Sequence, residues 1–508
     1  MSRTKKTVYN TVVMMVYEVV TVICSLILPR LLLSGYGSDV NGLVSSITKF
    51  LGCISFLRLG VAGSTRVALY KSLAEEDSTK TSGIIVATER FMRRIAFVLI
   101  GYIVVLAVAF PLIVDSSMGK LGIAALVVII GGGIFAEYFF GITYQTLLIA
   151  DQRAYIYSLI QIVVTITNTL LGVVLIRGGY SIQTVKMGSS ILFMISPIIL
   201  TIYARKRYRI NRNVPPDESA LKNRKAVMTQ SIANIVHSNV DVTVLTFFTS
   251  TMVVSVYTVY NLVFSALQRT LSVFTYSLEA AFGNMFARKE YDNINNKLNH
   301  LEFFICVFVS VTFSCAAVLI LPFVGIFTSG VTDIEYIQPE FAYLSLAALA
   351  IRCFREPYLV CVQAAGKYKE TQSGAVIEAV LNICLSFPAV FHFGLIGVTA
   401  GTLLANLFRT IQYLVFVSVH LLERNIYKSL IKQIWTTGNV VMSYLAFRLL
   451  PIHIEFSDWG NWFVGAIIIG LISCCVTLCS SLLFYRNDFR NFLLFFLTRK
   501  YKDNANTL

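Results

Sequence analysis

The sequence predicts an all-α polytopic membrane protein of fourteen transmembrane helices, arranged as two pseudo-symmetric six-helix bundles followed by two extra C-terminal helices. Three observations predict it: an apolar composition, a series of apolar stretches of membrane-spanning length, and basic residues gathered on one side of those stretches. Of 508 residues, 56% are hydrophobic and 14% charged, and the mean hydropathy is +0.72, whereas soluble domains carry about 25% charged residues.

A helix needs about 20 mostly apolar residues, at about 1.5 Å each, to cross the hydrocarbon. Fourteen stretches meet that length: 8–32, 41–66, 94–114, 121–150, 155–176, 184–204, 227–249, 252–278, 301–327, 340–365, 372–393, 396–420, 433–451 and 462–485. The first follows "MSRTKK" and resembles a signal peptide at its head, but its apolar part is too long and lacks a small-residue cleavage site, so it reads as a span. The seventh holds His237 and Asp241, and the thirteenth is short and polar at its start.

The 42 Lys and Arg residues set the orientation. Thirty fall in segments that lie on one side if both termini are cytoplasmic; Lys120, Arg177 and Lys186 are assigned to the other side, and nine lie within the spans. That asymmetry is the positive-inside pattern. Basic loops facing anionic lipid account for the net charge of +15, and nucleic acid is not an expected partner. The ten cysteines all fall in apolar runs without metal-type spacing, so reduced, buried thiols are expected.

The longest polar insert, "RKRYRINRNVPPDESALKNRK", follows six spans and contains Pro215 and Pro216. It divides the chain into an N-terminal bundle (1–204), a basic cytoplasmic linker (205–226), a C-terminal bundle (227–432), helices 13 and 14 (433–485) and a tail (486–508). "YQTLLIADQRAYIYSLIQIVVTITNTLL" from residue 144 matches "YLVCVQAAGKYKETQSGAVIEAVLNICL" from 358 in pattern. "ALYKSLAEED" and "NMFARKEYDN" repeat at a similar offset. Halves of six spans share orientation, a transporter arrangement with the substrate path between them. In the tail, "RNDFRNFLLFFLTRKY" is too short to cross and reads as an interfacial helix.

No phosphate-cradling glycine loop, His-x-x-x-His pair or nucleophile elbow is present. The chemistry lies in ionisable residues at membrane depth, each costing roughly 2.5–3.5 kcal/mol at a helix centre on insertion scales. The within-span cations are Arg30, Lys49, Arg58, Arg66, Arg269, Arg352, Arg355, Arg409 and Arg448. Arg58 lies eight residues deeper than Arg66, roughly 12 Å, so Arg66 can snorkel where Arg58 is expected to line a cavity. Arg352 and Glu356 are spaced for an i,i+4 ion pair, which would leave Arg355 without a partner on its own helix. Arg269 and Arg409 sit nearer the cytoplasmic ends, with snorkelling and cavity lining both open. The deep acids are Glu18, Glu137, Asp241, Glu356 and Glu378. They read either as counterions of the arginines or as proton or sodium coupling groups, with His237 one turn from Asp241. Nine cations against five acids favour an anionic substrate, and guanidinium suits phosphate or diphosphate.

Several segments carry a family resemblance: "GYGSDVNGLVSSITKFLGCISFLRLGVAGSTRVALYKSLAEED", "IADQRAY", "NIVHSNVDVTVL", "VYTVYNLVFSAL", "AAFGNMFARKEYDN" and "AAGKYKE". The chain resembles the oligosaccharide and polysaccharide flippases of the multidrug, oligosaccharidyl-lipid and polysaccharide exporter superfamily over about residues 8–430. The resemblance implies two six-helix bundles around a central cavity, and alternating access that turns over an undecaprenyl-diphosphate-linked oligosaccharide for capsule, O-antigen or other cell-surface polysaccharide. It implies a bacterial cytoplasmic membrane location, a proton or sodium gradient in place of a cofactor, and a polymerase and glycosyltransferases as partners. Substrate binding then falls to Arg58, Arg66, Arg269, Arg352 and Arg355, and ion coupling to Glu18, Glu137, Asp241, His237 and Glu378. Arg58 before "LGVAGS" departs from the acidic or polar residue that the resemblance implies there. A cation-coupled drug exporter and a membrane-embedded glycosyltransferase or polymerase are the competing classes. The basic excess disfavours the first, and short outer loops disfavour the second.

Overall fold

The computed structural model describes residues 3–55, 64–66, 68–70, 72–73, 75–208, 210–217, 232, 239–449 and 454–490, and every regular element among them is helical. Arg58 and His237, residues 227–231 and 233–238 of the seventh expected span and the tail beyond residue 490 lie outside the described residues. The helices are α1 (Arg3–Gly52), α2 (Ser78–Ile113), α3 (Gly119–Ala136), α4 (Ile142–Ala150), α5 (Ala154–Arg177) and α6 (Ile182–Tyr208). They continue with α7 (Asn239–Phe248), then α8 (Thr251–Ala287), α9 (Tyr291–Phe327), α10 (Pro339–Ala364), α11 (Tyr368–Val415), α12 (Ile426–Leu449) and α13 (Trp459–Phe484). Nine helices among the described residues are long and apolar enough to cross a membrane. Two of those nine runs, within α1 and α11, each cover parts of two expected spans.

The breaks within these two long helices have local causes. Gly37 adopts φ 81°, ψ 177° inside α1, a backbone region that only glycine enters freely. The freed amide of Ser38 donates to Asp333 Oδ2 at 2.7 Å and its hydroxyl to Oδ1 at 2.5 Å, so the interrupted ladder finds a new acceptor. Gly394 (φ 52°) breaks α11 in the same way. Beyond it, a Cβ on Gly397 would sit 2.3 Å from the Ala389 carbonyl oxygen, and one on Gly401 would sit 2.3 Å from Ser386 Oγ. "GVTAG" is therefore the close-packing face of a helical hairpin.

Starts are capped where the chain enters a helix from a loop. Asp77 accepts from Lys80 N at 2.9 Å at the head of α2, and Asp458 accepts from Asn461 N at 2.9 Å at the head of α13, each satisfying one orphan amide. Pro339 occupies the first turn of α10, where it lacks no needed donor. The outward faces remain apolar, as Val104, Val105, Val108 and Leu112 on α2 illustrate, with exposures of 56–70%. Such a face suits lipid, because intrahelical bonds already satisfy the backbone.

The chain folds into two compact units, Met1–Thr258 with Gly330–Ile334, and Val259–Ser329 with Glu335–Leu508. The division falls inside α8. In the first unit α1 packs on α5, and α3 packs on α2 and α6. Its core includes Leu43, Ile47, Leu51, Leu99 and Leu126, all buried. Gly42 is obligatory there, since a Cβ would lie 1.7 Å from the Thr251 carbonyl oxygen. In the second unit α10 packs along α11, and the two extra helices α12 and α13 both pack on α9. All ten cysteines are free, but Cys384, Cys474, Cys475 and Cys479 are exposed, which corrects the expectation that every thiol is buried: these four occupy the outward apolar faces.

Candidate functional site

Charges at membrane depth persist when they are paired or face water, so the fate of each ionisable side chain defines what this protein can do. In the second unit, Glu378 on α11 receives two guanidiniums. Arg355 Nη1 on α10 donates to its Oε1 at 2.7 Å, and Arg409 Nε lies 3.5 Å from Oε2. Arg409 also donates to Thr371 O at 2.8 Å, to Gln412 Oε1 at 2.5 Å and to the Tyr413 hydroxyl at 2.8 Å. Both arginines are almost fully buried, at 7% and 2% exposure.

This geometry decides three points that residue spacing left open. Arg355 has a partner on the neighbouring helix, its Nη1 donating to Glu378. Arg409 does not snorkel; it points inward to a carboxylate. Arg352 makes no ion pair with Glu356 within 4 Å. With the Gln268 amide oriented oxygen-first, it donates to that oxygen from Nη2 at 2.8 Å and Nε at 3.2 Å. Helical spacing offered the Glu356 partner, but a hydrogen-bonding amide on α8 won. One turn beyond Glu378, Asn382 Oδ1 accepts from Ser386 Oγ at 2.8 Å and Thr402 Oγ1 at 3.4 Å, extending a polar seam. Arg269 on α8 is exposed.

In the first unit the polar groups line up where α1, α7 and α8 meet. Asn41 Nδ2 donates to Ser255 Oγ at 2.7 Å, and the Ser46 and Thr246 hydroxyls lie 2.8 Å apart. Asp241 accepts from the Tyr257 hydroxyl at 3.2 Å and lies within electrostatic range of Lys49. Glu18 is half-buried on α1. Arg66 is half-buried, and its Nε has no hydrogen-bond partner among the described residues.

Glu137 opens a π-helical turn, Glu137–Gly141, between α3 and α4, a deformation common at functional sites. It lines a cavity of about 260 Å³ with Gln145, Tyr157, Gln161, Lys186 and Ser190. The charge count assigns Lys186 to the outer side although the expected span begins at residue 184; it belongs to α6, four residues after the helix start, and lines this cavity.

Two acids missed by the depth criterion organise one end of the unit. Asp39 accepts from Ser116 Oγ, Ser117 N and Ser117 Oγ at 2.6–2.8 Å, and from Thr251 Oγ1, while Asp333 caps the broken α1. At the other end, buried Glu89 meets Arg93, Arg205 and Arg212. Partial burial alone would lower the pKa of Arg212, but Glu89 and the Tyr144 hydroxyl beside it raise it, keeping the guanidinium charged. Read along the chain, these residues have only a topological role, because their convergence requires α2, α6 and the chain after α6 to come together.

The helix order, the broken long helices and the buried charge pairs describe a polytopic helical fold, which comparison with solved structures places. No family model matches the chain, and no curated protein matches it. The lipid II flippase MurJ in an inward-closed conformation superposes with a TM-score of 0.72 at 15% identity, over 93% of this chain and 99% of that one. A MATE-family multidrug resistance transporter of the MOP superfamily, inward-facing, gives 0.61 at 13% identity over 85% and 98%. A MOP-superfamily transporter from Pyrococcus furiosus, described as having a binding pocket of reverse polarity, gives 0.63 at 12% over 83% and 97%. The chain shares the fold of these proteins.

Proposed function

We propose that the protein is a flippase that moves an undecaprenyl-diphosphate-linked oligosaccharide from the inner to the outer leaflet by alternating access, for the assembly of a cell-surface polysaccharide. The observation that carries this reading is the cationic excess at membrane depth. Glu378 neutralises one of its two arginines, while Arg352 is held by a neutral amide and Arg66 and Arg269 stand outside the buried pair. A protein interior of net positive charge attracts an anion, and the diphosphate is the anionic part of such a substrate. The fold shared with a lipid II flippase over nearly the whole of both chains supports it further.

On this reading Arg58, Arg66, Arg269 and Arg352 contact the diphosphate, while Arg355 holds α10 against α11. Asp241, Glu137 and Glu18 are the candidates for coupling to a proton or sodium gradient. The protein spans fourteen times in a bacterial cytoplasmic membrane with both termini inside, beside the glycosyltransferases and polymerase that make and consume its substrate.

A cation-coupled drug exporter is the second reading, favoured by the MATE structures that share the fold. Export in cells lacking their own flippase separates the two. The wild-type chain should restore surface polysaccharide, and R58A/R352A, inserted at normal levels, should lose it and accumulate the lipid-linked unit inside. Normal export by that variant removes the arginine argument; drug resistance without polysaccharide export selects the exporter.

A further inference from the structure

Glu89 sits on α2 with its side chain 10% exposed, and three guanidiniums from three different segments close on it. Arg212 Nη2 lies 3.3 Å from Oε1 and 3.2 Å from Oε2. Arg205 Nη2 lies 3.6 Å from Oε1, and Arg93 Nη2 lies 3.8 Å from Oε2. The Tyr144 hydroxyl donates to Glu89 and accepts from Arg205 Nε at 2.8 Å. Aromatic rings support two of the arginines: Arg93 lies over Phe139 at 5.1 Å, and Arg205 over Tyr144 at 5.6 Å. Arg212 is positioned by a strap of chain that follows α6. There Asn211 N donates to Ser82 Oγ at 3.2 Å, and Asp217 N donates to Gly83 O at 3.1 Å.

The arrangement holds more donors and more charge than one carboxylate can satisfy. Three guanidiniums offer about fifteen N–H donors against about four lone-pair sites on a carboxylate. Arg93 Nε is buried without a hydrogen-bond partner among the described residues. The nearby acid on the α4–α5 turn, Asp151, is already paired with Arg153 at 2.8 Å and with the Tyr208 hydroxyl at 2.5 Å. The side chains of Arg93, Arg205 and Arg212 remain 40–46% exposed, so a ligand can reach them. A merely topological basic face would spread its charges over lipid; here they converge on one point.

We propose that this cluster is a phosphate-binding site at the membrane surface of the first unit, in which Glu89 gathers the arginines and a phosphate or diphosphate group supplies the acceptors they lack. Guanidinium forks bind phosphate with several charge-assisted bonds. The source of the phosphate is either a bilayer phospholipid or the diphosphate of a polyprenyl-linked substrate, and for the second source the inference rests on the flippase reading above.

The test uses the full chain in phosphatidylcholine nanodiscs with labelled farnesyl diphosphate at physiological salt. R205Q/R212Q should weaken binding at least tenfold, and R205K/R212K should recover part of it, while R448Q, outside the cluster, changes nothing. R212Q alone, on the exposed strap, should weaken binding at least threefold and keeps the test open should the double variant fail to fold. Smaller changes in the folded variants, or an equal loss in R448Q, overturn the site. Displacement by phosphatidylglycerol in the disc assigns it to bulk phospholipid; displacement by pyrophosphate but not by phosphatidylglycerol assigns it to the diphosphate. Binding that survives in wild type while polysaccharide export fails would sink the flippase reading and leave this site standing.

Discussion

Replacing Glu378 by glutamine keeps the shape of the side chain but removes the charge that two buried guanidiniums share. Arg355 donates to it at 2.7 Å and Arg409 approaches at 3.5 Å, in a setting where all three side chains are at most 9% exposed. Breaking a buried ion pair by removing one partner costs about 3–5 kcal/mol, because the remaining charge is left uncompensated. The glutamine oxygen still accepts one bond, which returns about 1 kcal/mol. Arg409 also keeps its bonds to Thr371, Gln412 and Tyr413. The expected loss for E378Q is therefore about 2–4 kcal/mol, read as reduced unfolding free energy of the purified protein in detergent. The triple variant R355M/E378M/R409M should recover most of that loss, since apolar replacement of a whole buried ion cluster is often neutral, whereas R355M/E378M leaves Arg409 without its carboxylate. A stability within about 0.5 kcal/mol of wild type for E378Q, which is the range of ordinary surface changes, would refute the counterion assignment. Loss of ion dependence in transport at full stability would assign Glu378 to coupling instead.

Other expectations follow the same reasoning. G42V should abolish folding or cost more than the about 1–3 kcal/mol of ordinary overpacking, because its side chain would meet the Thr251 carbonyl; the yield of monodisperse protein reports it. D39A leaves the donors of Ser116, Ser117 and Thr251 without their shared acceptor and should cost about 1–3 kcal/mol by thermal unfolding. E302A removes the acid that Arg424, Lys432 and Ser429 share and should loosen α12 from α9, read as faster proteolysis between residues 421 and 432. In a cysteine-free background, N213C should react with an impermeant maleimide in inverted vesicles and not in intact cells; the reverse labelling would invert the topology.

Helical spans were legible because apolar length is local information, whereas the glycines that break α1 and α11 and the aspartates that cap α2 and α13 showed their roles only in the structure. Glu378 was legible as a residue of interest, but its partners were not. Helical spacing pointed from Arg352 to Glu356, while Arg355, 23 residues from Glu378, reaches it only after α10 packs along α11, and Arg409, 31 residues away, only because α11 breaks at Gly394. Lys186 shows the same limit. It falls at the head of an expected span and counts with the outer side, and only the packing of α6 shows that it lines a cavity.

The sequence by itself determined an all-helical membrane chain, its basic asymmetry and the list of charges held at membrane depth, because hydropathy and charge are properties of each residue and its near neighbours. Only the tertiary structure decided which charges neutralise one another and which stay available. The pairing of Arg355 with Glu378, the gathering of Arg93, Arg205 and Arg212 on Glu89, and the cavity shared by Glu137 and Lys186 depend on distances between segments far apart in the chain. Packing sets those distances, and an ion pair exists only where packing brings two charges within a few ångströms in a medium of low dielectric.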